Sequence, residues 1–109
     1  MADVEVKGLD VQTSKKWVDQ GKAVLIDVRE QNEYDQANIP GATLVPLSVF
    51  NHESLPQDKD KIAIFHCRSG QRTANNFALF LEIGFKETFH MDGGIIAWNE
   101  AGFPIKSSQ

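Results

Sequence analysis

The sequence predicts an α/β domain whose mainly parallel central sheet is flanked by helices on both faces. Three observations carry this expectation. Residues 23–28 (AVLIDV) and 62–66 (IAIFH) are continuous apolar runs rich in branched side chains, as strands covered on both faces require. Segments of helical spacing alternate with those runs, the order expected of a layered sheet with crossover helices. The length, 109 residues with 41% apolar content, suffices for one core. Residues 1–109 are therefore expected to form a single domain.

Each element has its own signal. In LDVQTSKKWVDQG, Asp10 is a candidate N-cap, Val11, Ser14 and Val18 share a helical face, and Gly21 can stop the helix. The AVLIDV strand follows. REQNEYDQ reads as a short helix, IPGA breaks the chain, and TLVPL is a short strand. SVFNHESLPQDKDK is loop with room for one helical turn, its DKDK a solvated charge run. The IAIFH strand leads directly into Cys67. From Gln71 or Arg72 the pattern turns helical, with Ala74, Phe77, Ala78 and Leu81 at i, i+3, i+4 and i+7 and Gly84 as the stop. ETFHM is the last strand. GGIIAWNEAG is the last helix, with Gly94, Ala97, Trp98 and Ala101 on one stripe.

Composition excludes some partners. A net charge of −4 without a basic run argues against nucleic acid and anionic membranes. No apolar stretch is long enough to span a bilayer, and no secretory segment stands at the start. One cysteine cannot form an internal disulfide, so a reducing compartment, the cytoplasm, and a monomer are expected. His52, His66 and His90 have no metal-ligand spacing, and no metal or organic cofactor is expected.

The one cysteine stands at the carboxyl end of a buried strand, where open α/β sheets bind ligands. It opens the loop CRSGQR, immediately before a helix. Gly70 permits a tight turn. Successive amides of such a loop can form an anion-binding nest, and the helix N-terminus adds partial positive charge. Arg68 and Arg72 add full charges. All of these favour thiolate over thiol, since cysteines in such settings have pKa values of roughly 3.5–7.5. A lone cysteine is more often a small core hydrophobe. That role gives no reason for two arginines and a glycine within five residues.

Two kinds of site resemble this loop. Protein tyrosine phosphatases carry His-Cys, five residues, then Arg and Ser or Thr. Here HCRSGQRT has four residues between Cys67 and Arg72, and Thr73 stands where the phosphatase arginine would be. Rhodanese sulfurtransferases have the shorter loop. A smaller ring of amides suits one extra sulfur atom better than a tetrahedral phosphoryl group. The segment LIDVREQNEYDQANIPGA is similar to the rhodanese signature at Asp27, Arg29, Glu33 and Tyr34, with Ala37 and Asn38 replacing the usual Gly-His. GGIIAWNEAGFPI resembles the family's closing segment. On these matches, in the family's order, the chain is identified as a rhodanese-like three-layer domain.

The resemblance implies ping-pong transfer of sulfane sulfur through a Cys67 persulfide, from a small anionic donor such as thiosulfate to cyanide, a thiol or a protein acceptor. Arg68, Ser69, Gly70, Gln71, Arg72 and Thr73 would bind the donor and the persulfide. Asp27 and Arg29 would orient the loop from the neighbouring strand, Asp27 by pairing with Arg72; Asp27 as a cap of the REQNEY helix is the alternative. A cysteine phosphatase or arsenate reductase is the rival enzyme. A sulfur-carrier or sulfide-sensing module docked on a protein partner is the rival of another class. His66, Trp17, Trp98, Phe77, Phe80, Phe85 and Phe89 are expected in the core, and Gly93-Gly94 is expected to serve tight packing at a helix start.

Overall fold

The computed structural model describes residues 4–107. Five parallel strands form the central sheet: β1 (Gly8–Leu9), β2 (Ala23–Asp27), β4 (Thr43–Leu44), β5 (Ile62–His66) and β6 (Glu87–Met91). Their order is β1-β6-β5-β2-β4, so β5, which precedes Cys67, is the central strand. β3 (Ala37–Asn38) and β7 (Lys106–Ser107) form a separate antiparallel ribbon. Neither β1 nor this ribbon was visible in the sequence, because two residues cannot display a period.

The apolar runs divide their side chains between two cores, as a doubly covered strand must. Ala23, Leu25 and Ile64 face α1 (Val11–Asp19) and α5 (Gly94–Glu100), where Val11, Ile95 and Trp98 meet them. Ile26, Ala63 and Phe65 face α3 (Gln71–Asn75) and α4 (Phe77–Leu81), where Phe77 and Phe80 meet them. The result is the expected three layers. Asp10 caps α1 by accepting from the Thr13 amide at 3.4 Å. α2 (Gln31–Gln36) is short and fixed by a capping box between Glu30 and Glu33.

The helix after the cysteine loop differs from expectation. It breaks at Asn76, whose backbone leaves the helical region (φ −111, ψ 17). The Asn76 side-chain amide donates to the Arg72 carbonyl at 2.8 Å, which also accepts the Asn76 backbone amide at 3.1 Å. The buried face is Thr73, Phe77 and Phe80, while Ala78 and Leu81 are exposed. The break lets α3 keep Thr73 under the cysteine while α4 turns its phenylalanines inward. Phe80 stacks on Phe65 with ring centroids 4.1 Å apart and planes 2° from parallel. Both rings are fully buried. Phe80→Ala is expected to cost about 3–5 kcal/mol of stability, read as a lower denaturant midpoint in urea unfolding.

Candidate active site

Cys67 leaves the end of β5 and is 1% exposed, its thiol closed over by its own loop. Its partners come from the next six residues. The Gly70 amide donates to Sγ at 3.2 Å, and the Thr73 hydroxyl lies 3.6 Å from Sγ. Gly70 has φ +97, the left-handed conformation that turns the loop back on the sulfur. Burial pushes the thiol pKa up. The Thr73 amide, its hydroxyl and the amides of Gly70 and Arg72 pull it down, and the net position is below that of an ordinary thiol.

The outside of the loop is held by α5. The carbonyls of Cys67 and Arg68 accept from the amides of Ile95 and Ile96 at 3.0 and 3.1 Å. Gly94 makes this approach possible: a Cβ there would overlap the Cys67 and Arg68 carbonyls, and its φ is +58. The glycine pair thus serves close packing at a helix start, as its sequence context suggested.

The ion pairs correct one expectation. Asp27 neither pairs with Arg72 nor caps α2. Its carboxylate takes Arg29, with Nη2 at 2.8 Å and Nε at 3.0 Å, and accepts the Arg29 amide at 2.9 Å. Arg29 also donates to the Ala37 carbonyl at 2.7 Å, tying β2 to the ribbon. Both members of this pair are buried. Proximity in the chain explains the outcome: one residue separates them, and Arg29 reaches both carboxylate oxygens without crossing the loop. Arg72 instead makes a bidentate pair with Glu33 of α2, with both N–O distances 2.8 Å. That contact holds Glu33 at about 2, well below its usual 4.5, the Arg72 hydrogen bonds being the largest cause. In the sequence Glu33 stands out only as part of the family signature and, three residues after Glu30, as a capping-box candidate.

Of the two loop arginines, Arg68 is therefore the exposed one without an ion-pair partner among the described residues. With Arg29, Glu33, Ile95, Ile96 and Ile105 it lines a groove beside the loop. Ser69 and Gln71 are exposed at the loop surface.

Two histidines lie beneath. His66 is fully buried, with Nδ1 3.2 Å from the Cys67 carbonyl and Nε2 3.6 Å from Asp27 Oδ2. Burial, against the pull of Asp27, lowers its pKa. His90 gave no signal in the sequence because its contact joins β6 to α3: Nδ1 lies 3.0 Å from the Thr73 hydroxyl. Among the described residues no group of three His, Cys, Asp or Glu is placed to hold a metal. Among the described residues no helix is long and apolar enough to cross a membrane.

A parallel sheet ending in a cysteine whose sulfur accepts hydrogen bonds from its own loop defines a class of cysteine-loop α/β proteins. The comparisons narrow it. The Rhodanese-like domain model matches residues 10–101, and the chain belongs to that family. It is 32% identical over 92 residues to a sulfurtransferase of Allochromatium vinosum, covering 84% of this chain and 86% of that protein. It is 40% identical over 89 residues to the probable adenylyltransferase/sulfurtransferase MoeZ of Mycobacterium tuberculosis, covering 77% of this chain. The chain spans 22% of the length of that relative. A rhodanese-like domain protein from Staphylococcus aureus superimposes with a TM-score of 0.75 at 28% identity, over 94% of this chain and all of that one.

Two outcomes follow from the site's electrostatics. His66 and His90 both have folded-state pKa values below the ordinary 6.5, so the unfolded chain binds more protons in that range. Stability is therefore expected to fall as pH drops below about 6.5, and to fall again between about 4.5 and 2 as Glu33 protonates in the unfolded chain first. Thermal melts across that range test both steps. Thr73→Val removes a hydroxyl beside Sγ and should slow iodoacetamide alkylation of Cys67 by about tenfold on the acid side of its pH profile.

Proposed function

We propose that this chain is a sulfurtransferase that carries sulfane sulfur as a persulfide on Cys67. The carrying observation is the sulfur's environment, in which the Gly70 amide and the Thr73 hydroxyl converge on Sγ and the thiol pKa is lowered. The relationship to a sulfurtransferase along most of both chains supports the same reading. So does the family match over residues 10–101.

The Cys67 thiolate attacks the outer sulfur of a thiosulfate-type donor. A new S–S bond forms to Cys67, the donor's S–S bond breaks, and its electron pair leaves with sulfite. The terminal sulfur keeps one negative charge, for which the donors at Sγ supply counter-dipoles. A thiophilic acceptor then takes that sulfur and returns Cys67 as thiolate; cyanide leaves as thiocyanate. Arg68 receives the anionic donor, being the loop cation without a carboxylate partner among the described residues. Arg72 acts at one remove, bracing the loop on Glu33. Asp27 and Arg29 support the neighbouring strand end. Ser69 and Gln71 contribute through their backbone, because their side chains are exposed. The steps as written require neither metal nor organic cofactor.

The test is intact-protein mass after incubation with thiosulfate. The expected outcome is a gain of one sulfur atom in the native protein, its removal by cyanide, and no gain in Cys67→Ser. Absence of the gain in the native protein would remove thiosulfate as donor. Hydrolysis of an aryl phosphate by the native protein, lost in Cys67→Ser, would favour the phosphatase chemistry over sulfur transfer.

A further inference from the structure

The Thr73 hydroxyl has more neighbours than protons. It is fully buried, and Oγ1 lies 3.0 Å from His90 Nδ1, 3.2 Å from the Gly70 carbonyl and 3.6 Å from Cys67 Sγ. A hydroxyl gives one proton and can accept at its lone pairs. Which neighbour receives that proton decides whether the sulfur has a second donor. We propose that His90 is a positioning residue for Cys67: its protonation state determines whether the Thr73 hydroxyl points at the sulfur or away from it.

The argument begins on the far side of the imidazole. His90 Nε2 lies 3.4 Å from Asp92 Oδ1. A carboxylate there favours the tautomer with hydrogen on Nε2. Room for it comes from β1, where Gly8 pairs in register with His90 and a Cβ on Gly8 would overlap the Asp92 carboxyl group. In the neutral ring Nδ1 is then a bare acceptor. It draws the Thr73 proton, and the sulfur loses that donor. In the imidazolium Nδ1 is a donor to Oγ1, and the Thr73 proton must go elsewhere. The Gly70 carbonyl already accepts the Ala74 amide at 3.1 Å. A thiolate or persulfide, being charged, is the stronger acceptor and takes the proton.

The neighbours of His90 leave this as the dominant coupling. β1 presents Gly8, β5 presents Phe65, α3 presents Thr73, and α4 sets the Phe77 ring edge-on with centroids 6.2 Å apart. Asp92 follows β6 at Nε2, and the Cys67 sulfur lies across Thr73. Burial favours the neutral ring and lowers its pKa, with Asp92 opposing. The resting state at neutral pH therefore has the hydroxyl turned to His90. Negative charge on the sulfur favours the imidazolium, and the imidazolium favours that charge.

The relevance to sulfur transfer rests on the persulfide reading, but the coupling is measured without any sulfur donor. Iodoacetamide alkylation of the sole cysteine, followed against pH, should show an acid shoulder. Below the His90 ionisation the rate should lie on the order of tenfold above a single-ionisation curve, the worth of one hydrogen bond to a charged group. The shoulder should vanish in His90→Gln and in Thr73→Val. Nitrogen-15 spectra of the neutral His90 ring should place its hydrogen on Nε2. A single ionisation in the native protein, a shoulder that survives His90→Gln, or an Nδ1–H tautomer would each overturn the proposal. Failure of thiosulfate to load the protein would leave this result standing and would count only against the sulfur-transfer reading.

Discussion

The first amides of α5 hold the carbonyls of Cys67 and Arg68, and the rest of the site depends on that grip. A peptide plane points its carbonyl and its amide in opposite directions. With the two carbonyls turned to α5, the amides of Arg68 and Ser69 are turned away from it, and the chain then curls through Gly70 to bring another amide onto the sulfur. Gly94 is the steric condition for this arrangement, since any side chain there would occupy the space of the loop's own carbonyls. Two distant segments, a glycine pair and a cysteine loop, are thus two halves of one backbone contact.

Charge around the loop is divided rather than pooled. The buried pair of Asp27 and Arg29 consolidates the end of β2 and reaches the ribbon through Ala37. The half-buried pair of Arg72 and Glu33 ties α3 to α2. Arg29 and Arg72 are therefore each committed to a carboxylate. Stabilisation at the sulfur falls to uncharged donors, which keep fixed geometry and do not compete for an incoming anion. Arg68 alone of the loop cations stays exposed to meet one.

Much of this was legible in the residues. Long periodic elements declared themselves: the two branched apolar runs, the Asp10-capped helix, and the cysteine loop with its glycine and arginines. What was hidden depended on contacts distant in sequence or on elements too short to have a pattern. β1 and the ribbon are two residues per strand. The break at Asn76 comes with a side-chain bond to the Arg72 carbonyl, which periodicity does not register. Asp27 stands on the strand next to β5, but it takes Arg29 and neither Arg72 nor the α2 cap, because charge alone does not choose between two guanidinium groups. His90 was set aside with the other histidines. Its proximity to Thr73 appears only once β6 is placed beside β5 and α3 above them.

The placement of Cys67 directly after the central strand has a mechanical consequence. β5 is hydrogen-bonded on both sides, to β2 and β6, and its side chains enter both cores. Backbone in such a position exchanges its amide hydrogens only when most of the domain opens, unlike a loop that frays locally. The thiol is therefore anchored to the least yielding part of the molecule and cannot travel on a swinging arm. Whatever reacts with it must come to the sulfur, past the loop that closes over it. Selection among partners is then a matter of reach past that loop, imposed before any bond is made.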